Sequence, residues 1–199
     1  MKSSPIGPHR PSPALLVLLF LAGACAAPLA AAQSSGAPLY TVEVVVFRAA
    51  SAPLGEDWSV HPPGRGFGAN PGHSGATPEL VRVLPASEYR LAGIDTRLRT
   101  SGTWRVIAHA AWTQTAGTWG AHLGLPLADV GINLPELQGT VYLERAPIYL
   151  HLGFDVGLHV GAATYWIDEM RSIKYGDKLY FDNPGLGLIA EVTPVKRTP

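Results

Sequence analysis

The stretch PIYLHLGFDVGLHV, residues 147–160, decides the fold of this chain. From Ile148 to Leu158 every second residue is large and apolar, and the residues between them are polar, aromatic or glycine. Side chains alternate between the two faces of a β-strand, so this pattern predicts a strand with one face in a core. The other face carries imidazole, phenol and carboxylate groups, which makes it a candidate surface for function.

Further strand-like runs lie before and after this stretch. They occupy residues 40–47, 103–114, 139–145, 163–173 and 186–192. The later runs are separated by short gaps with glycine and proline, which is typical of an antiparallel meander. In the run 103–114, alternation places its two tryptophans on one face. We therefore expect a mainly antiparallel sheet of about six strands.

A helix-like pattern lies between the first two runs. Residues 77–79 read Thr-Pro-Glu, which is typical of a helix start. Apolar residues follow at helical spacing, but Pro85 interrupts them. The main helix is therefore expected from Ala86 or Ser87 to Thr100. The predicted fold class is α+β, with the sheet packed against this one principal helix.

The composition is that of a folded protein with little charge. Hydrophobic residues make up 47% of the 199 residues, charged residues only 15%, and the formal net charge is zero. Nucleic acids and anionic membranes are bound through clustered lysine and arginine. This balance therefore argues against both kinds of partner.

The N-terminal residues follow the pattern of a secretory signal peptide. Basic residues precede a short apolar run, residues 14–22, and small residues follow as far as Ala32. The apolar run is too short to span a bilayer, and the small residues form an A-x-A cleavage site. We expect residues 1–32 to be cleaved, and residues 33–199 to form one periplasmic domain without a membrane span.

Cys25, the only cysteine, allows an alternative in which the leader is a lipoprotein signal. The chain would then be anchored through a lipid on Cys25. Such signals place a large apolar residue three positions before the cysteine, where this chain has Ala22. Cleavage after Ala32 is therefore favoured, and the mature chain would then contain no cysteine and no disulfide.

Catalytic and metal-binding patterns are weak in this sequence. His151, Asp155 and His159 share a strand face, but successive members lie about 13 Å apart along a strand. A zinc ion needs three or four converging ligands, so these residues cannot form a site by themselves. Asp168 and Glu169 are neighbours that point to opposite faces and cannot flank one bond. We expect no enzymatic activity, no metal and no cofactor.

Seven short segments, taken in order and spacing, resemble the CsiV-type peptidoglycan-binding proteins. They cover most of the chain after the leader, apart from two loop regions. The segments are YTVEVVVFR (40–48), YRL (89–91) followed by GTWRVIAHAAWTQ (102–114), GTVYLER (139–145) running into YLHL (149–152), and EMRS (169–172) followed by LYFDNPGLG (179–187).

The resemblance implies a periplasmic protein of a Gram-negative envelope that binds peptidoglycan and is not an enzyme. It also implies an accessory role in cell wall biogenesis. In that role a bifunctional peptidoglycan synthase is supported through its activator, an outer-membrane lipoprotein, so either protein is an expected partner. Two departures stand out. Asn183 replaces the usual histidine of a turn, and Asp168 and Glu169 interrupt an arginine-rich strand.

The candidate ligand-binding residues combine the polar sheet face with the segments that carry the resemblance. Aromatic rings beside hydrogen-bonding groups suit sugars and peptides. An ordinary solvated sheet face is the alternative, and for Trp58 the favoured role is to pin its loop to the protein body. The candidates are Trp58, His109, Trp112, Tyr149, His151, Arg171 and Asp182.

Two other functions stay open at this point. The chain could be an envelope scaffold that grips a protein partner through a sheet edge and long loops, without affinity for glycan. It could also be a cell-wall hydrolase, although the sequence offers no recognisable catalytic set.

Overall fold

The computed structural model describes residues 36–51 and 75–196. The predicted signal peptide, Cys25 and Trp58 lie outside these residues. Within the described ranges, no helix has the length and apolar character needed to cross a membrane.

The described chain is mostly β-strand with one α-helix, so its fold class is α+β as predicted. The helix, α1, spans Ala92–Thr100. In chain order the strands are β1 (Leu39–Ala49), β2 (Leu80–Val83), β3 (Trp104–Thr115), β4 (Gly117–Thr118), β5 (Leu125–Pro126), β6 (Leu137–Arg145), β7 (Leu150–Val160), β8 (Ala163–Ile173), β9 (Lys178–Asn183) and β10 (Leu186–Pro194).

The strands form two sheets, so the prediction of about six strands in one sheet was wrong. The first sheet has the order β2-β3-β1-β10-β9, and the second has the order β4-β6-β7-β8 with β5 also paired to β6. All pairings are antiparallel except the short one between β4 and β6. The meander predicted from residue 139 onward ends at β8, because β9 and β10 join β1 in the other sheet.

Side chains from both sheets meet in one buried core. Val44 of β1 and Phe154 of β7 are both fully buried there, and Phe154 contacts the Phe181 ring edge-on at 5.0 Å. The alternation in the opening stretch is confirmed from Leu150 to Leu158. Ile148 departs from it: this residue precedes the strand and is 82% exposed.

The segment before α1 differs from the predicted continuous helix. Residues 77–79 lead into the edge strand β2, and a short 3-10 turn spans Ala86–Glu88. The backbone N–H groups of Arg90 and Leu91 then donate to the carboxylate of Glu43, each at 2.8 Å. Because those groups bond to the sheet, the helix begins only after Leu91. Its residues include none that is buried.

Candidate functional site

An open cleft of about 540 Å³ lies where β1 ends, α1 ends and β3 begins. Its lining is rich in arginine and contains one tryptophan, in a chain whose formal net charge is zero. We call it the arginine cleft. The lining residues are Arg48, Ala50, Arg99, Gly102, Trp104, Arg105, Val106 and Ile107.

A β-bulge in β3 shapes the wall of this cleft. Val46 lies opposite Ala108 and Phe47 lies opposite Val106, so Ile107 is an extra residue between them. A bulge redirects the side chains that follow it. The prediction that the tryptophans of β3 share one face is therefore wrong. One is in the core, whereas Trp104 contacts Phe47 edge-on at 5.3 Å.

Two arginines face each other directly across the strands at this end of the sheet. Arg48 of β1 is the register partner of Arg105 of β3. Directly opposed residues project on the same side, with Cβ atoms about 4.5–5.5 Å apart, and like charges in this position repel. Within residues 36–51 and 75–196, neither arginine forms an ion pair. The guanidinium of Arg48 donates a hydrogen bond to the carbonyl oxygen of Ala49, at 3.4 Å.

The third arginine of the cleft is compensated. Arg99 donates from Nε to both oxygens of Asp95, at 2.9 and 3.1 Å, one helical turn away. This hydrogen bond raises the pKa of Arg99, against the opposing effect of burial. The charge of Arg99 is therefore neutralised by Asp95, and its side chain is held in place at the edge of the cleft. Among the described lining residues, the uncompensated positive charge belongs to Arg48 and Arg105.

The middle of the same two strands carries a compensated group of charges, the Glu43 cluster. It consists of Glu43, Arg90, Asp95, His109 and Glu191. Glu43 is 2% exposed and accepts from His109 Nε2 at 2.8 Å as well as from two backbone N–H groups. Burial raises the pKa of Glu43, but these hydrogen bonds outweigh burial and lower it overall.

The other members of the Glu43 cluster are paired as well. His109 Nδ1 lies 3.8 Å from Asp95 Oδ1, and Arg90 Nε lies 3.0 Å from Glu191 Oε1. Lys178 Nζ lies 3.6 Å from the second oxygen of Glu191. Glu43 and Asp95 accept hydrogen bonds, and Glu191 is ion-paired with Arg90 and Lys178 although its Oε1 accepts no hydrogen bond. The cluster thereby joins the segment before α1 to the sheet. That arrangement suits a structural role better than a ligand site.

Several predicted site residues lie in different parts of the molecule. His109 belongs to the Glu43 cluster, and its ring is 4.4 Å from that of Tyr89. Trp112 has no exposed surface, and its Nε1 donates to Gln114 Oε1 at 2.5 Å inside the core. Neither side chain borders the arginine cleft.

Tyr149 and His151 lie around the start of β7, in the second sheet. Tyr149 is 60% exposed, and the His151 ring lies 4.0 Å from that of Trp119. Burial lowers the pKa of His151, while the charge of Glu144 opposes that shift. Glu144 is itself fully buried and accepts backbone N–H groups of the loop between β4 and β5.

Arg171 of β8 and Asp182 of β9 are predicted residues from different strands that lie near each other. Arg171 donates to Glu169 Oε1 at 2.6 Å, and its guanidinium lies 5.1 Å from the Phe181 ring centroid. The hydrogen bond that Arg171 donates to Glu169 raises the pKa of Arg171 against the opposing effect of burial, and the charge of Asp182 adds to the rise. Both arginine and glutamate are partly exposed, so the pair forms a solvated, compensated edge of β8.

The sequence analysis missed the residues of the arginine cleft. Arg48 and Arg105 each look like ordinary strand-end charges, and only the register between β1 and β3 places them together. In the described ranges, no three His, Cys, Asp or Glu side chains converge in the way that metal ligands do.

Comparisons of the chain with protein-family models, curated proteins and solved structures found no match. The functional argument therefore depends on the geometry of the described residues and on the segments that carry the resemblance.

Proposed function

We propose that this protein is a noncatalytic, periplasmic peptidoglycan-binding protein that serves as an accessory to cell-wall synthesis. The observation that carries the proposal is the arginine cleft. It holds Arg48 and Arg105 side by side, and both lack carboxylate partners among the described residues. It is open to solvent, and the described residues that line it include no acid, histidine or nucleophile.

The chemistry of such a cleft matches that of peptidoglycan. Peptidoglycan joins sugars to short peptides that carry free carboxylates. Arginine presents a planar fork of N–H donors that binds a carboxylate through two parallel hydrogen bonds. The apolar residues Ala50 and Ile107 in the same lining suit the apolar parts of sugars and peptides. The lining thus favours binding over catalysis.

Two features of the sequence support the cellular setting. The signal-peptide pattern of residues 1–32 favours export to the periplasm. The resemblance to CsiV-type proteins favours a role beside a bifunctional peptidoglycan synthase, acting through its lipoprotein activator. Either of those proteins is the proposed partner in addition to peptidoglycan itself.

Co-sedimentation with purified sacculi tests the proposal. We expect the protein to pellet with sacculi, and the double variant Arg48→Gln/Arg105→Gln to bind about tenfold or more weakly. Arg82→Gln is the matched control, because Arg82 is an exposed arginine of β2 that pairs with Glu88. We also expect no muropeptides in the supernatant. Recovery equal to that of an unrelated periplasmic protein would overturn the proposal.

A second candidate function is an envelope scaffold without glycan affinity. The edge strand β2 exposes Val81 by 51% and Val83 by 42%. An apolar edge strand is a ready acceptor for a strand of another protein. A photo-crosslinking residue at position 81 would capture a protein partner in cells, and this function is favoured if sacculus binding is absent.

A further inference from the structure

We infer that the arginine cleft is a receptor for a peptide that carries two carboxylates, such as the acidic stem peptide of peptidoglycan. This inference rests on the proposed function and deepens it. It assigns the affinity to the peptide part of the polymer, with the glycan strand left outside the cleft.

The number of uncompensated arginines in the cleft predicts how many carboxylates the ligand carries. Arg48 and Arg105 are uncompensated within the described chain, whereas Arg99 is held by Asp95. Counted over the described residues, the cleft therefore carries an excess of two positive charges. A ligand with two carboxylates neutralises both charges, and each carboxylate can accept a bidentate hydrogen bond from one guanidinium.

The cross-strand geometry adds a reason for binding. Two like charges placed directly opposite each other destabilise the strand pair. In the unliganded protein Arg48 and Arg105 bear this repulsion at the end of β1 and β3. An anion between them converts the repulsion into attraction, so part of the binding free energy comes from relief of a strain that is already present.

The remaining lining favours a peptide over an inorganic anion. Ala50 and the bulge residue Ile107 give one side of the cleft an apolar surface. The aliphatic and peptide atoms between two carboxylates would lie against that surface. The volume of about 540 Å³ is in the range of small-molecule sites and suits a short peptide.

The bulge shapes the wall of the cleft beside the arginine pair. Ile107 is the extra residue in β3, and it lines the cleft together with Val106. Without the bulge, strict alternation would direct Trp104 to the core side together with Trp112. With the bulge, the Trp104 ring lies against Phe47, on the strand face opposite the Arg105 side chain.

Calorimetric titration with a defined probe tests the inference. The probe is the soluble dipeptide N-acetyl-L-Ala-D-Glu, the first part of the stem peptide, which carries two free carboxylates and no amine. A second probe is the same peptide with its carboxylates converted to carboxamides, and a third is inorganic phosphate. We expect the free-acid peptide to bind, and the amidated peptide to bind about tenfold to a hundredfold more weakly. Phosphate should bind no better than the amidated peptide.

Variants locate the binding in the cleft. Arg48→Gln and Arg105→Gln should each weaken binding of the free-acid peptide about tenfold or more. Arg105→Lys should be intermediate, because it keeps the charge but loses the bidentate fork. Arg82→Gln should bind as the unmodified protein does. Because both Gln variants remove a repulsion, they should unfold at the same or a slightly higher temperature, which separates lost binding from lost folding.

The outcomes distinguish this inference from the proposed function. If sacculi are bound but the amidated and free-acid peptides bind alike, the carboxylate receptor is wrong and peptidoglycan binding stands. If the free-acid peptide binds through the cleft while sacculi are not retained, the receptor stands and the proposed function fails. Equal binding of phosphate and peptide would overturn the inference, since the cleft would then be a general anion site.

Discussion

Strands β1 and β3 carry two groups of charges, one in the middle of their length and one at the end. In the middle, Glu43 is buried and accepts hydrogen bonds from His109 and from two backbone N–H groups. Glu191 of the same cluster is ion-paired with Arg90. At the end, Arg48 and Arg105 are more exposed and face each other without a carboxylate partner in the described chain. A buried charge destabilises a fold unless it is paired, which accounts for the pairing in the middle. The arginine pair at the end is more exposed, and it is the site that we propose for a ligand.

The largest effect should follow from breaking the compensated group. Glu43→Ala removes an acceptor from His109 and from the backbone of Arg90 and Leu91, which leaves buried donors unpaired. We expect a loss of about 3–5 kcal/mol in the free energy of unfolding, measured by urea denaturation. The control Glu136→Ala changes an exposed glutamate and should stay within about 0.5 kcal/mol. Similar losses for both variants would contradict the assigned role of Glu43.

A buried glutamate in the second sheet tests whether the same rule holds there. Glu144 accepts the backbone N–H groups of Gly120 at 2.9 Å and His122 at 2.7 Å. Glu144→Gln keeps the shape but turns one acceptor into a donor that meets another donor. We expect a loss of about 1–3 kcal/mol in the same denaturation experiment. Unchanged stability would show that the loop between β4 and β5 does not depend on this carboxylate.

Measuring stability as a function of pH tests whether Glu43 is ionised in the folded protein. The hydrogen bonds to Glu43 hold its pKa in the folded protein below its usual range, so its stabilising contribution is present above that range. This contribution is lost as the pH falls through the folded-state pKa. The stability difference between the unmodified protein and Glu43→Gln should therefore shrink from neutral pH towards about pH 3. A difference that stays constant would argue against an ionised Glu43.

The smallest effect, and one of opposite sign, is expected at the arginine pair. Arg48→Gln or Arg105→Gln should raise the free energy of unfolding by about 0.2–1 kcal/mol, because either change removes the cross-strand repulsion. The double variant should gain little more than either single variant, since the repulsion can be removed only once. Fully additive gains would mean that the two guanidinium groups do not interact.

Alternation predicted the local elements well. The apolar residues of β7 from Leu150 to Leu158 lie in the core. It did not predict the division into two sheets, because a strand pattern contains no information on its neighbours. The pairing of β10 with β1 depends on packing between segments that are distant in the sequence. The spacing of apolar residues within one segment carries no information about such a pairing.

The site was harder to predict than the fold for two physical reasons. First, one inserted residue at Ile107 changes the face of all residues on its N-terminal side in β3, including Trp104. Second, the charge state of a site depends on partners that are distant in the sequence. The sequence does not show that His109 is hydrogen-bonded to Glu43 in the fold. It also does not show that Arg105 lies opposite Arg48.

The pairing of β1 with β10 has a consequence for when the chain can fold. These two strands lie near opposite ends of the described chain, yet they are neighbours in the first sheet. During synthesis β1 is made first and β10 last, so this pairing cannot form until almost all of the described chain exists. Contacts between such distant segments also form slowly. The topology thus delays completion of the first sheet until its last strand has left the ribosome.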